Sequence, residues 1–212
     1  MASSPTEDAT LPPNHHAHFP GFAGVGGLVA ALTFTVGRGD DADLAIDIAG
    51  VGPGDHVVDI GCGPGVAARR AAARGAASVV GVDPAAVMLR VARLRLRRRP
   101  AVRYLVGTAE ELPLPDGSAT VAWSLATVHH WNDIDRGLAE VRRVLRPGGR
   151  FLVIERRVQP GASGHASHGW TPEQADLFAE RCRSAGFSDP EVERHRLRGG
   201  RRPVLSVLAQ AL

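Results

Sequence analysis

The sequence has 212 residues, 44% of them hydrophobic and 22% charged, the proportions of one globular domain able to bury roughly 70% of its unfolded surface without a disulfide or metal staple. Cys62 and Cys182 are too few for a disulfide scaffold and point to a reducing, cytoplasmic setting. All 25 basic residues are arginine against 22 acids, for a net charge of +3, so the pI of about 9.6 reflects arginine chemistry and gives no strong case for nucleic acid.

Residues 1–19 carry Pro, Ser, Thr and His with few apolar side chains and read as a flexible arm. The first basic residue is Arg38, so no signal peptide is expected. The apolar run 25–36 is too short for a membrane span, which needs about 20 residues, and reads as a short helix packed on the domain or over a pocket. A second helix is predicted after Asp41, through Leu44, Ile46 and Ile48 to Gly50.

From His56 strands and helices alternate. Val57, Val58 and Ile60 form a buried strand that stops at Gly61, and 67–74 is a helix ended by Gly75. Residues 79–82 are a second strand closing at Asp83; Pro84 suits the first turn of a helix with Val87, Met88, Val91 and Leu94 on its apolar face. A third strand spans 102–106, with Pro113 and Pro115 in an irregular loop, and 121–125 is the fourth. Leu138, Val141, Val144 and Leu145 share a helical face that Arg146-Pro147-Gly148-Gly149 ends, and 151–154 is the fifth strand. Thr171-Pro172-Glu173-Gln174 is a capping box opening a helix to Gly186. Strands at 192–197 and 204–208 then flank Gly199-Gly200.

This alternation predicts an α/β fold with right-handed crossovers and a parallel sheet covered on both faces. Residues 20–212 read as one domain: a helical cover at 20–52, a core at 53–155, and a helix and hairpin at 156–212.

In such a sheet ligands bind beyond the carboxyl ends of the strands. Asp59-Ile60-Gly61-Cys62-Gly63-Pro64-Gly65 has glycines at alternate positions, so the chain can turn sharply with N–H groups open at a helix start. Val66 stands where a dinucleotide fingerprint needs its last glycine, and Asp59 would repel a phosphate but suit a cationic ligand. Asp83 follows at a spacing suited to accepting two ribose hydroxyls. A plain strand–helix turn and a helix cap are the structural alternatives for these two features.

The ordered runs VVDIGCGPG, VVGVDP, GTAEELPLPDGS, HHW and VLRPGGRFLVIE resemble class I S-adenosylmethionine-dependent methyltransferases, in particular the small-molecule branch that includes ubiquinone and menaquinone biosynthesis methyltransferases. The resemblance implies a Rossmann-like three-layer sandwich with a seven-stranded, mostly parallel sheet and an antiparallel last strand. It implies S-adenosyl-L-methionine as cofactor, with S-adenosyl-L-homocysteine as product. Asp59, Gly61, Cys62, Gly63 and Gly65 would then hold the methionine part and Asp83 the ribose. Pro84 and Met88 would line the adenine pocket, Thr108, Ala109 and Glu110 would border the ring, and Ser124 and Leu125 would complete the site. Thr108 and Thr120 depart from the family's usual acids.

His129 and His130 follow the fourth strand in a stretch that walls the reaction chamber of related enzymes. Either could accept a proton from the methyl acceptor, or merely fix the loop. No metal site is expected: neither His15, His16 and His18 nor His165 and His168 has an acid or cysteine at ligand spacing. The arginines of 90–99 read as a solvated face, and Cys62 as a packing residue. The function expected is O- or C-methylation of a small-molecule acceptor, without nucleic acid or a membrane span. A non-catalytic S-adenosylmethionine-binding regulator or partner is the alternative, and a nicotinamide-dependent dehydrogenase is disfavoured by Val66 and Asp59.

Overall fold

The computed structural model describes residues 39–95, 101–163, 167–197 and 203–212. The predicted arm, the 25–36 helix, the His15–His18 cluster, His165 and the Gly199-Gly200 turn lie outside them, as does part of the arginine run.

Seven strands, β1 (His56–Ile60), β2 (Ser78–Asp83), β3 (Val102–Val106), β4 (Ala119–Leu125), β5 (Leu145–Arg156), β6 (Phe187–Arg196) and β7 (Pro203–Ala211), form one sheet. Their order is β3-β2-β1-β4-β5-β7-β6. β1 to β5 pair in parallel, whereas β7 runs antiparallel to both β5 and β6. The antiparallel last strand is therefore wedged between its two neighbours. The strand order reverses between β1 and β4, which places the ligand crevice beyond their carboxyl ends.

The helices are α1 (Gly39–Ile48), α2 (Val66–Ala73), α3 (Ala86–Leu94), α4 (Ile134–Val144) and α5 (Pro172–Ser184). Neighbouring strand residues point to opposite faces, so each buried strand serves two cores. Val57, Val79, Trp123 and Leu152 pack with α1, α2 and α3, while Val58, Val80, Ala122 and Val153 pack with α4 and α5. The described part of the expected N-terminal cover, α1, buries Ala42, Ala45 and Ile46 in this helical layer.

Three details differ from the sequence reading. Pro84 precedes the Ala85 cap of α3 instead of sitting in its first turn, because the Asp83 carboxylate accepts from the Ala85 N–H and turns the chain before the helix begins. Leu145 leaves the helix and pairs with Ala119, and the ladder resumes at Val121 with Arg150, so Arg146–Gly149 form an irregularity within β5. β6 starts at Phe187 despite Pro190: it is an edge strand, and the pairing shifts between Ser188 and Glu191 to pass the proline.

Candidate functional site

Leaving β1, the chain folds back on the neighbouring strand, with the N–H groups of Gly61 and Cys62 both donating to the Val82 carbonyl at 2.8 and 3.1 Å. Gly61, Gly63 and Gly65 all have positive φ, 71°, 51° and 71°, but for different reasons. A Cβ on Gly61 would strike the Thr127 side chain at 2.6 Å, and one on Gly65 the Tyr104 hydroxyl at 2.0 Å. Those two glycines admit the protein's own side chains. A Cβ on Gly63 meets nothing within 4 Å among the described residues. Of the three, Gly63 is the one that faces open space among the described residues.

Two buried acids hold this loop. Asp59, at the end of β1, accepts from the Ala68 N–H through Oδ2 at 3.1 Å, fixing the start of α2. Asp83 accepts from the Gly63 N–H (2.8 Å) with one oxygen and from the Ala85 N–H (2.8 Å) with the other. It joins the glycine loop to the β2–α3 turn. Cys62 is buried between them; burial first, then the charges of Asp59 and Asp83, push its thiol well above the usual range, so it is a neutral packing group.

Met88 is buried at the start of α3, whereas Pro84 is exposed. After β3, Thr108 is exposed and Ala109 buried. The Glu110 carboxylate turns away to accept from the N–H groups of Asn132 (2.6 Å) and Asp133 (3.3 Å), so its side chain braces the β4–α4 connection. Thr120 sits at the opposite end of the sheet from the crevice, donating to Asp55 (2.7 Å) and accepting from the His56 N–H (2.9 Å), so its departure from the family pattern is structural.

At the end of β4, the Ser124 and Thr127 hydroxyls lie 2.5 Å apart, and Thr127 also donates to the Ile60 carbonyl at 3.2 Å. Between them Ala126 takes φ 55°, a left-handed conformation that costs a non-glycine residue about 1 kcal/mol or more and that clusters at functional sites. A 3-10 turn, Val128–His130, follows. Glu155, fully buried at the end of β5, accepts from the Val128 N–H (2.9 Å) and faces His129 Nδ1 at 2.9 Å. His168 joins this group, with its ring centroid 5.5 Å from that of His129 and 5.8 Å from that of His130. Ala126 and Thr127 lie in the segment after the fourth strand, where ligands bind in such a sheet, but the sequence assigns them no role, and it weighs His168 only beside His165. Glu155 carried a signal as a strand-end acid; the grouping of His168 with His130, 38 residues earlier, carried none, because only the fold brings them together.

This strand order, with its crevice at the β1–β4 reversal, is the arrangement that the resemblance to class I methyltransferases implies. Residues 58–153 match the family described as "Methyltransferase domain". A demethylmenaquinone methyltransferase of Symbiobacterium thermophilum is 39% identical over 111 residues, 49% of this chain and 43% of that protein. A malonyl-[acyl-carrier protein] O-methyltransferase of Serratia marcescens is 36% identical over 126 residues, 58% of this chain and 48% of that protein. The chain thus spans less than half the length of these two curated relatives. A solved structure described as a SAM-dependent methyltransferase from Aquifex aeolicus superimposes with a TM-score of 0.71 at 18% identity, covering 87% of this chain and 98% of that one. Residues 58–153 therefore resemble methyltransferases, and over this core the chain is similar to curated menaquinone and ubiquinone/menaquinone biosynthesis methyltransferases.

Proposed function

We propose that the chain binds S-adenosylmethionine across the carboxyl ends of β1, β2 and β3 and methylates an oxygen or carbon of a small-molecule acceptor. The observation that carries this reading is the open, left-handed Gly63, whose N–H is aligned by Asp83. A carboxylate has about four acceptor sites, so Asp83 can hold Gly63 and Ala85 and still accept from ribose hydroxyls. Asp59 contributes negative charge beneath the loop where the ammonium of the methionine part would lie. Met88, Pro84 and Ala109 offer the adenine ring an apolar surface, with the Thr108 hydroxyl as a neutral acceptor. The Gly61, Cys62 and Gly65 backbone shapes the cradle, and Ser124 and Leu125 form its floor. The Glu110 contribution is reduced to its main chain.

The bound cofactor supplies an electrophilic methyl on a sulfonium, whose displacement depends mainly on alignment and exclusion of water. The acceptor would meet the polar wall of His129 and His130. Glu155 fixes the His129 ring from behind, while His130 is the more exposed of the two. The names of the relatives span a quinone and a protein-bound acyl group; this fold takes many acceptors by varying its loops.

The test is incubation of the full chain with methyl-labelled S-adenosylmethionine and a metabolite extract. Label on a small molecule, lost in Gly63→Val, is expected. Tight S-adenosylhomocysteine binding without methyl release favours the non-catalytic reading, which the missing acid at Thr108 supports. Binding of NAD or NADP in place of the sulfonium nucleoside overturns both.

A further inference from the structure

We infer that His129, His130 and His168 form a binding site for one divalent transition-metal ion of the zinc class, with a coordination position left open toward solvent. One ring nitrogen from each histidine lies within 4.8 Å of the others. Zinc held at about 2.0–2.1 Å by imidazoles in a tetrahedral array sets its ligand nitrogens about 3.4 Å apart. Modest ring rotations therefore close the site. Three neutral imidazoles with a vacant fourth position suit zinc and its neighbours, not magnesium or calcium, which prefer oxygen.

Three features make this more than a chance meeting of side chains. The first is Glu155: a ligating histidine usually gives its other ring N–H to a carboxylate, and Glu155 Oε2 stands 2.9 Å from His129 Nδ1, directing Nε2 to the ion. The second is that both segments are anchored to the end of the same strand. The 3-10 turn is tied by the Val128 N–H to Glu155 and by the His130 N–H to the Thr127 carbonyl at 2.9 Å. His168 precedes Trp170, whose N–H and carbonyl bond the Arg156 carbonyl and the Val158 N–H, each at 2.9 Å. Gly169 between them has φ 144°, and a Cβ there would come within 2.1 Å of the Arg156 carbonyl oxygen. The third is burial: His129 is buried while His130 and His168 are half-buried, so an ion can enter yet meets one fixed ligand. The open position would take water.

This site stands independently of methyl transfer, and its test reads metal alone. The full chain, without a histidine tag, is stripped with chelator and titrated with Zn²⁺ and with Co²⁺, whose visible bands report coordination. One ion per chain with nitrogen-ligand, low-coordination Co²⁺ bands is expected. His168→Ala and His129→Ala should each weaken binding by about 100-fold or more, and Glu155→Gln by about 10–100-fold. Thermal melts identify any variant that fails to fold; His168→Gln, which keeps a polar side chain of similar length, then replaces His168→Ala. A variant with His15, His16 and His18 changed to Ala should bind as the wild type does. Equal affinity in folded His168 and His129 variants, octahedral oxygen-type Co²⁺ bands, or loss of binding in the N-terminal variant overturns the proposal.

Discussion

Gly63 and Asp83 are one device at the scale of single residues, since the amide of the first is held by the carboxylate of the second. Replacing Gly63 by Val costs the fold about 1–2 kcal/mol for a left-handed residue, which a domain stable by about 5–15 kcal/mol survives. The new side chain fills the open space and should abolish S-adenosylhomocysteine binding while the far-UV spectrum stays unchanged; binding at the wild-type affinity would remove the close-approach argument. Asp83→Ala takes away a charged acceptor and should weaken that binding by about 1.5–3 kcal/mol, or about 10–150-fold. Asp83→Asn keeps one carbonyl oxygen for the backbone, so calorimetry should place its loss below that of the alanine variant. An unchanged affinity in Asp83→Ala would rule out the ribose contact.

Among the elements, α4 is held to the loop before β4 through Arg143. Its guanidinium donates to Glu140 and Asp116 and to the carbonyls of Leu112 and Leu114. Glu140 in turn accepts from the Leu112 N–H. The Arg143 hydrogen bond, then that amide, hold the Glu140 carboxyl below its ordinary range. A depressed folded value means stability that is present above the unfolded value, about 4.3, and is lost as pH falls through the folded one. Glu140→Gln should therefore be less stable than wild type at pH 7 by about 1 kcal/mol, given partial solvent screening. The gap should close below the folded value; denaturant titration at the two pH values measures it, and a gap independent of pH would exclude the ion pair as its source. This loop also shows what sequence could tell. The helix and strand periods of 56–154 were legible because both cores repeat the same alternation. The start of β6 was not, since an edge strand tolerates Pro190 through a pairing shift that no local pattern announces. The Asp59 to Gly65 loop and Asp83 were legible as a pair through their spacing. The division of labour among the three glycines was not, because Thr127 and Tyr104 reach Gly61 and Gly65 from 66 and 39 residues away.

For the molecule as a whole, the crevice at the β1–β4 reversal is bordered by loops from four parallel strands, which Asp83 to Gly63, Thr127 to the Ile60 carbonyl and Glu110 to the Asn132 N–H already tie together. A ligand that bridges the Gly63 loop, the Asp83 turn and the β4 end adds a connection among them, and by mass action it stabilises the folded state alone. At a concentration of about 100 times its dissociation constant the gain is about 2.7 kcal/mol. For a chain of this length that corresponds to a rise in melting temperature of about 5–10 °C. S-adenosylhomocysteine should produce this shift in the wild type and none in Gly63→Val, while NAD should produce none in either. Because Zn²⁺ would act through His129, His130 and His168 instead, its shift should persist in Gly63→Val and add to that of the nucleoside in the wild type, the additivity expected of separate sites. A nucleoside shift that survives Gly63→Val would move the binding site away from this loop.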